Sequence, residues 1–246
     1  MATPLPNDPP LDTPDTAGDV LVDIAHVPDG VEMHLVRHGE GFTILLEDTE
    51  LMSTEASASE VALATMTCTR LGPRPAPQML IGGYGMGFTL RAALGALPSD
   101  AGVCVAEIVP QIIEWAKGPM KAVTAGCLDD PRVLVVEDDV AMLIDAAREG
   151  YDAILLDVDN GPEGLTRWHN DRLYSPQGLA SAMRALNPGG ILAVWSAWFD
   201  AAFTARLEEA GFEVSHETVG SRPTGEAWPH TLWFARKPVA SLRNAA

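Results

Sequence analysis

Hydrophobic and polar positions follow a repeating pattern from residue 76 onward. Short, nearly continuous apolar runs are each followed by a segment with apolar residues at helical spacing. The pairs are "QMLIGG" with "FTLRAALGAL", "GVCVAEI" with "PQIIEWAKG", "RVLVVED" with "VAMLIDAAREG", "YDAILLDV" with "SPQGLASAMRAL", and "ILAVWSA" with "AAFTARLEEAG". Continuous apolar strands joined by helices predict a parallel sheet covered on both faces. The final segments "FEVSHETV" and "HTLWFARK" are too close for a helical crossover, so we expect an antiparallel pair.

The chain before residue 57 has a different pattern. Three strand-like segments, "VLVDIAHV", "VEMHLVRH" and "FTILLED", are separated by turn residues and predict a small antiparallel β unit over 20–56. Residues 1–19 hold five prolines and no basic region, which predicts a disordered tail and no signal peptide. An α/β domain over 57–238 follows, opened by a capping box of Ser57 and Glu60, and residues 239–246 form a second tail.

Composition narrows the classes of function. The 246 residues are 47% hydrophobic, enough for a large core, but no apolar run reaches the roughly 18 residues of a membrane span. The formal net charge of −18 disfavours nucleic acid and favours a small substrate, with cationic molecules accepted most easily. Cys68, Cys104 and Cys127 show no metal-ligand spacing. We expect reduced thiols, no bound metal and a cytoplasmic protein.

A glycine-rich turn follows the first apolar strand of the repeating pattern. Bare backbone lets a ligand approach closely, and the following helix aims free N–H groups at an anionic group. The turn reads G-x-G-x-G, whereas a dinucleotide site favours G-x-G-x-x-G, and Phe88 stands at the third glycine position. Tight packing of strand against helix is the structural alternative. The candidate cofactor-binding residues here are Gly82, Gly83, Tyr84, Gly85 and Gly87.

Acidic residues end the next three strands. Glu107 lies 22 residues beyond Gly85, where a carboxylate can accept hydrogen bonds from both ribose hydroxyls. Asp138 and Asp139 end the third strand, where an adenine amino group would lie. Asp157 and Asp159, two residues apart after the fourth strand, point to the same side and are the candidate catalytic acids. The alternative is that these acids have only a structural role, as solvated residues at strand ends or as caps of the loop backbone.

This order of motifs resembles the class I S-adenosylmethionine-binding fold, a doubly wound Rossmann-like sheet of seven strands, over residues 76–237. Within that fold it is most similar to the spermidine synthase-like proteins, in which a small β unit precedes the nucleoside-binding domain. "YDAILLDVDNGPEG" stands where the polyamine aminopropyltransferases have Asp-Ser-Ser-Asp-Pro, and "DRLYSPQGLASAMRALNPGGILAVWS" follows the family pattern. The resemblance implies S-adenosylmethionine or its decarboxylated form as cofactor, and a homodimer.

Three departures from the family bear on the reaction. The family turn carries an aspartate, Gly-Gly-Gly-Asp-Gly-Gly, and this turn has no acid. The family's Asp-Ser-Ser-Asp is replaced by Asp-Val-Asp-Asn at 157–160, and its Tyr-His-Glu helix opening keeps only Glu60. A donor that retains its own carboxylate fits an acid-free turn. We therefore predict methyl transfer to a small, amine-bearing molecule. Aminopropyl transfer, a non-catalytic nucleoside-binding module and, more weakly, a nicotinamide-dependent oxidoreductase are the alternatives.

The loop "NGPEGLTRWHNDRLY" is long enough to close over such a site. Its Trp168, His169 and Tyr174 are candidate substrate contacts, because aromatic faces stabilise sulfonium and ammonium groups. Simple packing is the alternative for each of them. His230 begins the last strand, and we interpret it as a strand-end residue.

Overall fold

The computed structural model describes residues 18–239 except 29, 48, 159–170 and 223–228. Two sheets organise this part of the chain. The first is a four-stranded antiparallel sheet in the order β1-β2-β3-β4, and the second has seven strands in the order β10-β11-β9-β8-β5-β6-β7. The strands are β1 (Val20–His26), β2 (Glu32–His38), β3 (Gly41–Leu46), β4 (Thr49–Ser53), β5 (Gln78–Gly82), β6 (Gly102–Ala106), β7 (Val133–Val136), β8 (Tyr151–Leu156), β9 (Leu186–Ser196), β10 (Glu213–Gly220) and β11 (Pro229–Arg236).

Helices connect the strands of the larger sheet. They are α1 (Ala58–Leu71), α2 (Phe88–Ala96), α3 (Pro110–Lys117), α4 (Lys121–Thr124), α5 (Val140–Ala146), α6 (Asp171–Tyr174), α7 (Pro176–Ala185) and α8 (Ala201–Glu209). Strands β5 to β9 run parallel, while β11 pairs antiparallel with β9 and β10. The predicted doubly wound fold of seven strands is confirmed, together with its closing antiparallel pair.

The register of three neighbouring strands brings their ends to one line. Gly82, the last residue of β5, pairs with Ala106 at the end of β6 and with Leu156 at the end of β8. The chain leaves β5 toward β6 on one side, and β8 lies on the other. This is the topological switch point at which open α/β sheets bind ligands.

Alternate residues of the central strands supply two separate cores. Met79, Ile81 and Leu155 belong to one buried cluster, and Leu80 and Ile154 belong to the other. Side chains of successive strand residues point to opposite faces, so the near-continuous apolar runs follow from burial on both sides.

The four-stranded sheet packs into the first of these cores. Its Leu35 and Ile44 join the same buried cluster as Val109 and Ile112 of the larger unit. The indole Nε1 of Trp115 also donates a hydrogen bond of 2.8 Å to Asp23 Oδ2 of β1. The three expected strands are present, and β4 is an additional one that its polar "TELMS" did not suggest. The proposed division of the chain into tails and units stays a prediction.

Local details differ from the expectations at three points. Ser57 makes no capping hydrogen bond with its side chain, and the Glu60 carboxylate accepts a hydrogen bond from the Ser59 hydroxyl. The "NPGG" segment, which precedes the predicted strand "ILAVWSA", is part of β9. Short helical turns, α4 and the 3-10 helix Cys127–Asp129, fill the connection from α3 to β7. None of the helices in the described residues is long and apolar enough to cross a bilayer.

Asp152, near the start of β8, ties three chain segments together. Its carboxylate accepts hydrogen bonds from the Gln78 backbone N–H at 2.8 Å, from Arg74 at 2.8 Å and from Asn187 at 3.0 Å. Burial opposes ionisation of this group, but the hydrogen bonds and the Arg74 charge outweigh it and hold the pKa of Asp152 below its usual value. The ionised carboxylate thus fixes the approach to β5 against β8 and β9.

Replacing Asp152 by Asn is expected to lower the free energy of unfolding by about 2 kcal/mol, because an amide nitrogen would face groups that donate to the carboxylate. The measurement is urea unfolding at pH 7, with a lower midpoint and an unchanged slope. Asp145→Asn, an exposed site on α5, is the matched control. Equal midpoints for the two variants would contradict this role of Asp152.

Candidate active site

A cavity opens at the carboxyl ends of β5, β6, β7 and β8. Of the predicted site residues, those that line it are Gly83, Gly85, Glu107, Asp138, Asp139 and Asp157. Apolar residues of the small sheet, including Met33, Ile44 and Met52, form another part of the wall. The aligned strand ends account for this grouping, because Gly83, Glu107 and Asp157 are the residues that follow Gly82, Ala106 and Leu156.

The Glu107 carboxylate holds the glycine turn in place. Oε2 accepts the Tyr84 backbone N–H at 2.9 Å, and Oε1 accepts the Val109 backbone N–H at 2.9 Å. Burial raises the pKa of Glu107, and the backbone hydrogen bonds act in the opposite direction. Each carboxylate oxygen has a second lone-pair direction, so the group can still accept from a hydroxyl in the cavity.

Two glycines of the turn have no room for a side chain. At Gly83, with φ of +85°, an added Cβ would collide with the carbonyl oxygen of Asp157. At Gly85, with φ of +52°, it would lie 2.8 Å from Sδ and Cε of Met52. The Met52 sulfur also accepts the Met86 backbone N–H at 3.1 Å. A thioether from β4 therefore occupies the space that a side chain at position 85 would enter.

The two acids after β7 have local structural partners as well as a place on the cavity wall. Asp139 caps α5 by accepting the Ala141 N–H at 2.8 Å, and its other oxygen pairs with Arg172 at 2.6 Å. Asp138 accepts the Asp139 backbone N–H at 2.7 Å. With the Asp139 carboxylate engaged on both oxygens, Asp138 is the freer acceptor at this edge.

Asp157 and Glu60 form an acid pair on the opposite side of the glycine turn. Asp157 Oδ2 accepts a hydrogen bond of 2.6 Å from the Thr89 hydroxyl, while Glu60 projects from the first turn of α1. Burial raises the pKa of Glu60 and the nearby Asp157 charge raises it further. Loss of solvation also raises the pKa of Asp157, against the effect of Thr89. Two buried carboxylates that line one cavity and repel each other favour sharing a proton or holding a cation.

A short hydrogen-bonded chain leads away from Glu60. The Ser59 hydroxyl donates to Glu60 Oε2 at 2.7 Å, and Nδ1 of His230 lies 2.9 Å from Ser59 Oγ. The His230 ring packs edge-on against Trp195, with 4.6 Å between ring centroids. Trp195 lines the cavity, and its indole nitrogen is buried without a hydrogen-bond partner among the described residues.

Comparison with known proteins places this arrangement in a family. Residues 66–206, more than half of the chain, match the family model described as the spermine/spermidine synthase domain. The chain belongs to this family. A polyamine aminopropyltransferase of Mycobacterium tuberculosis (strain ATCC 25618 / H37Rv) is 35% identical over 122 residues, which cover 48% of this chain and 22% of that protein. One from Saccharolobus islandicus (strain L.S.2.15 / Lassen #1) is 31% identical over 118 residues, covering 48% of this chain and 38% of the other.

The solved structures agree in fold. Spermidine synthase from Thermotoga maritima superposes with a TM-score of 0.70 at 19% identity, over 89% of this chain and 73% of that one. The curated relatives match over less than two thirds of their own length. Membership of the spermine/spermidine synthase domain family, with relatives that are polyamine aminopropyltransferases, contradicts our expectation of methyl transfer. That expectation was wrong because it took the acid-free turn alone as decisive.

Other predicted site residues lie away from the cavity wall or outside the described part. The Tyr84 ring is buried with its hydroxyl 3.4 Å from Cys127 Sγ, and Tyr174 packs edge-on against Phe203. Neither lines the cavity, nor do Gly82 and Gly87. Asp159, Trp168 and His169 lie outside the described residues. The described ranges contain no cluster of three or more His, Cys, Asp or Glu residues suited to a metal ion.

For this member of the spermine/spermidine synthase domain family, sequence reasoning missed the role of five residues in and around the acid pair. Glu60 was interpreted as a capping residue and as a remnant of the family's helix opening, and His230 as a strand end. The others have no motif of their own, and the set is Met52, Ser59, Glu60, Trp195 and His230. The "S-x-x-E" motif already explained Glu60 as a capping residue, and its functional role was therefore overlooked.

The raised pKa of Glu60, about 7 against an ordinary 4.5, makes stability depend on pH. The folded protein binds a proton that the unfolded chain has lost between about pH 4.5 and 7, so stability falls as pH rises through that window. Glu60→Gln removes the charge and is expected to be more stable than wild type at pH 8, by about 3 kcal/mol, and nearly equal at pH 4.5. Urea unfolding at both pH values measures this.

Glu50→Gln, at an exposed position of β4, controls for loss of one surface charge. The same stability gain in Glu50→Gln as in Glu60→Gln, or a Glu60→Gln gain that does not change with pH, would show that Glu60 pays no desolvation penalty.

Proposed function

We propose that this chain catalyses aminopropyl transfer from decarboxylated S-adenosylmethionine to a small cationic amine. The observation that carries the proposal is the Glu60–Asp157 acid pair, which stands beside the glycine turn in a chain of the spermine/spermidine synthase domain family. Both substrates of such a transfer are cations, and a cavity with two desolvated carboxylates is stabilised by receiving positive charge.

The nucleoside part of the donor fits the wall between β5 and β7. Glu107 lies at the end of β6, where its remaining lone pairs can accept the ribose hydroxyls. Asp138 stands one strand further along and can accept from the adenine amino group. The turn at 82–87 brings bare backbone close to this region, with Gly83 and Gly85 on the wall.

The Glu60–Asp157 pair supplies the negative charge that the acid-free glycine turn lacks. Methionine from β4 lies 2.8 Å from the position that an added Cβ at Gly85 would take, so the space beside this glycine is already occupied. Glu60 reaches the cavity from α1 and Asp157 from the end of β8. One carboxylate can hold the ammonium of the aminopropyl group while the other faces the acceptor amine. This division of charge supports the decarboxylated donor, because a donor carboxylate would be repelled by the same pair.

The reaction asks for a neutral nucleophile aligned with the donor carbon. An acceptor ammonium gives one proton to a carboxylate of the pair, and its nitrogen lone pair then forms the new C–N bond. The C–S bond breaks with its electrons moving to the sulfonium sulfur, leaving a neutral thioether. Asp157, fixed by the 2.6 Å hydrogen bond from Thr89, is the candidate base. Positioning and proton removal are the protein's main contributions.

Several finer expectations remain predictions. Asp159, Trp168 and His169 are proposed contacts on the acceptor side, and Tyr84 and Tyr174 are proposed to act by packing behind the wall. The homodimer implied by the resemblance and the cytoplasmic location expected from the cysteines also belong here. A cationic small molecule as partner is in keeping with the net charge of −18.

The donor is tested by incubating the protein with a panel of diamines and monoamines and either donor. With decarboxylated S-adenosylmethionine we expect methylthioadenosine, detected by liquid chromatography, and with S-adenosylmethionine no demethylated product. A heat-denatured sample is the control for spontaneous breakdown. Turnover with intact S-adenosylmethionine alone would overturn the proposed function.

Asp157→Asn is expected to lower kcat by about 10²- to 10⁴-fold, the usual contribution of a positioned base. The amide can still accept from Thr89, so methylthioadenosine affinity, measured by calorimetry, should stay within about twofold. Asp145→Asn on the exposed face of α5 is the control and should turn over normally. A fully active Asp157→Asn would move the role of base to Glu60.

A further inference from the structure

The hydrogen-bonded chain beyond Glu60 ends outside the cavity and has no place in the transfer step itself. Glu60 is 5% exposed and Ser59 is fully buried, so neither exchanges protons freely with water. His230 is partly exposed at the start of β11. The chain thus joins a buried carboxylate on the cavity wall to an imidazole within reach of solvent.

We propose that Ser59 and His230 form a proton exit, which passes to solvent the proton that the acid pair takes from the acceptor amine. This inference rests on the proposed function, because aminopropyl transfer to an ammonium releases one proton in each turnover. Neither residue touches the substrate in this scheme, and both act through Glu60.

The geometry allows the hydrogen-bonded chain two polarities, which differ in the direction in which the hydrogen bonds are donated. With Glu60 ionised, Ser59 donates to Oε2 at 2.7 Å, and His230 must donate its Nδ1–H to Ser59 across 2.9 Å. With Glu60 protonated, Glu60 donates to Ser59, Ser59 donates to Nδ1, and the ring carries its proton on Nε2. Hydroxyl groups donate and accept at once, so Ser59 fits the middle of either arrangement.

Passage from the second polarity to the first moves one proton outward. Glu60 gives its proton to Ser59, Ser59 gives its own proton to Nδ1, and Nε2 releases its proton to water. Glu60 is left ionised and His230 neutral, so the atoms and charges balance without another reactant. The other titratable groups on the cavity wall are Asp157, Glu107, Asp138 and Asp139, and the Glu60–Asp157 pair first receives the proton.

The surroundings of His230 suit a ring that changes tautomer rather than one that stays charged. Trp195 packs against it at 67° and 4.6 Å and fixes the ring plane. Burial lowers the pKa of His230, so the resting imidazole is neutral near pH 7. A neutral ring offers one donor and one acceptor nitrogen, as the two polarities require.

The first experiment reads the tautomer of His230 in the wild-type protein by ¹⁵N-histidine NMR at pH 8, where no catalysis is needed. We expect the Nδ1–H form, held by Ser59. In Ser59→Ala that acceptor is lost, and the Nε2–H form preferred by free imidazole should appear. An Nε2–H tautomer in the wild type at pH 8 would overturn the proton exit whether or not the protein transfers aminopropyl groups.

The second experiment compares steady-state kinetics in H₂O and D₂O. His230→Asn keeps an N–H near the Nδ1 position but cannot pass a proton on, so we expect kcat to fall about tenfold or more while the donor KM stays unchanged. The solvent isotope effect on kcat should rise as proton release becomes limiting. Imidazole added to His230→Ala should restore part of the lost kcat.

The outcomes separate the two proposals. A wild type that transfers aminopropyl groups, together with His230→Asn at wild-type kcat, would overturn the exit and leave the proposed function standing. A wild type inactive with every amine would overturn the proposed function. The NMR result would still decide whether the hydrogen-bonded chain from Glu60 to His230 exists. A fall in donor affinity in His230→Asn with unchanged kcat would show a structural role only.

Discussion

The register of β6, β5 and β8 is the constraint on which the rest of the site depends. Because Ala106, Gly82 and Leu156 lie side by side, the next residues of three separate segments emerge together at one edge. Glu107 can then reach across to the backbone of the turn, and the Asp157 carbonyl can approach Gly83. A shift of one residue in any of these strands would turn the acids toward the wrong face and empty the cavity wall.

Burying the carboxylates of the site costs desolvation free energy, and the neighbouring side chains do not fully compensate for it. Arg172 pairs with Asp139, and Arg74 pairs with Asp152. Among the side chains of the described residues, the Glu60–Asp157 pair receives hydrogen bonds from the hydroxyls of Ser59 and Thr89. Hydroxyl donors stabilise a carboxylate less than a cation does. The free protein is therefore strained electrostatically where substrate charge would arrive, which links the stability of this region to binding.

The periodicity of the sequence was enough for the larger sheet, since buried parallel strands and their helices leave a strong pattern. It also located Glu107, Asp138 and Asp157, because strand ends in a parallel sheet meet at one edge. It did not find β4, whose polar residues lack strand alternation, nor the role of Met52. Contacts such as Met52 with Gly85, or His230 with Ser59, join residues far apart in the chain and leave no local signal. The reaction type was misjudged for the same reason, since the missing acid was read without its spatial neighbours.

The contact between Met52 and Gly85 makes the two positions epistatic. An aspartate introduced at 85 alone would meet the sulfur of Met52 at 2.8 Å while adopting a left-handed backbone, so the clash and the strain would add. A smaller residue introduced at 52 alone would leave the Met86 N–H without its acceptor and open a gap beside the turn. Each single change is thus disfavoured, and a change at one position alters the contact that the other position makes. On this account a residue of the small sheet, Met52, keeps the turn free of acids. Exchange of that sheet between relatives would therefore also change the part of the site that binds the donor.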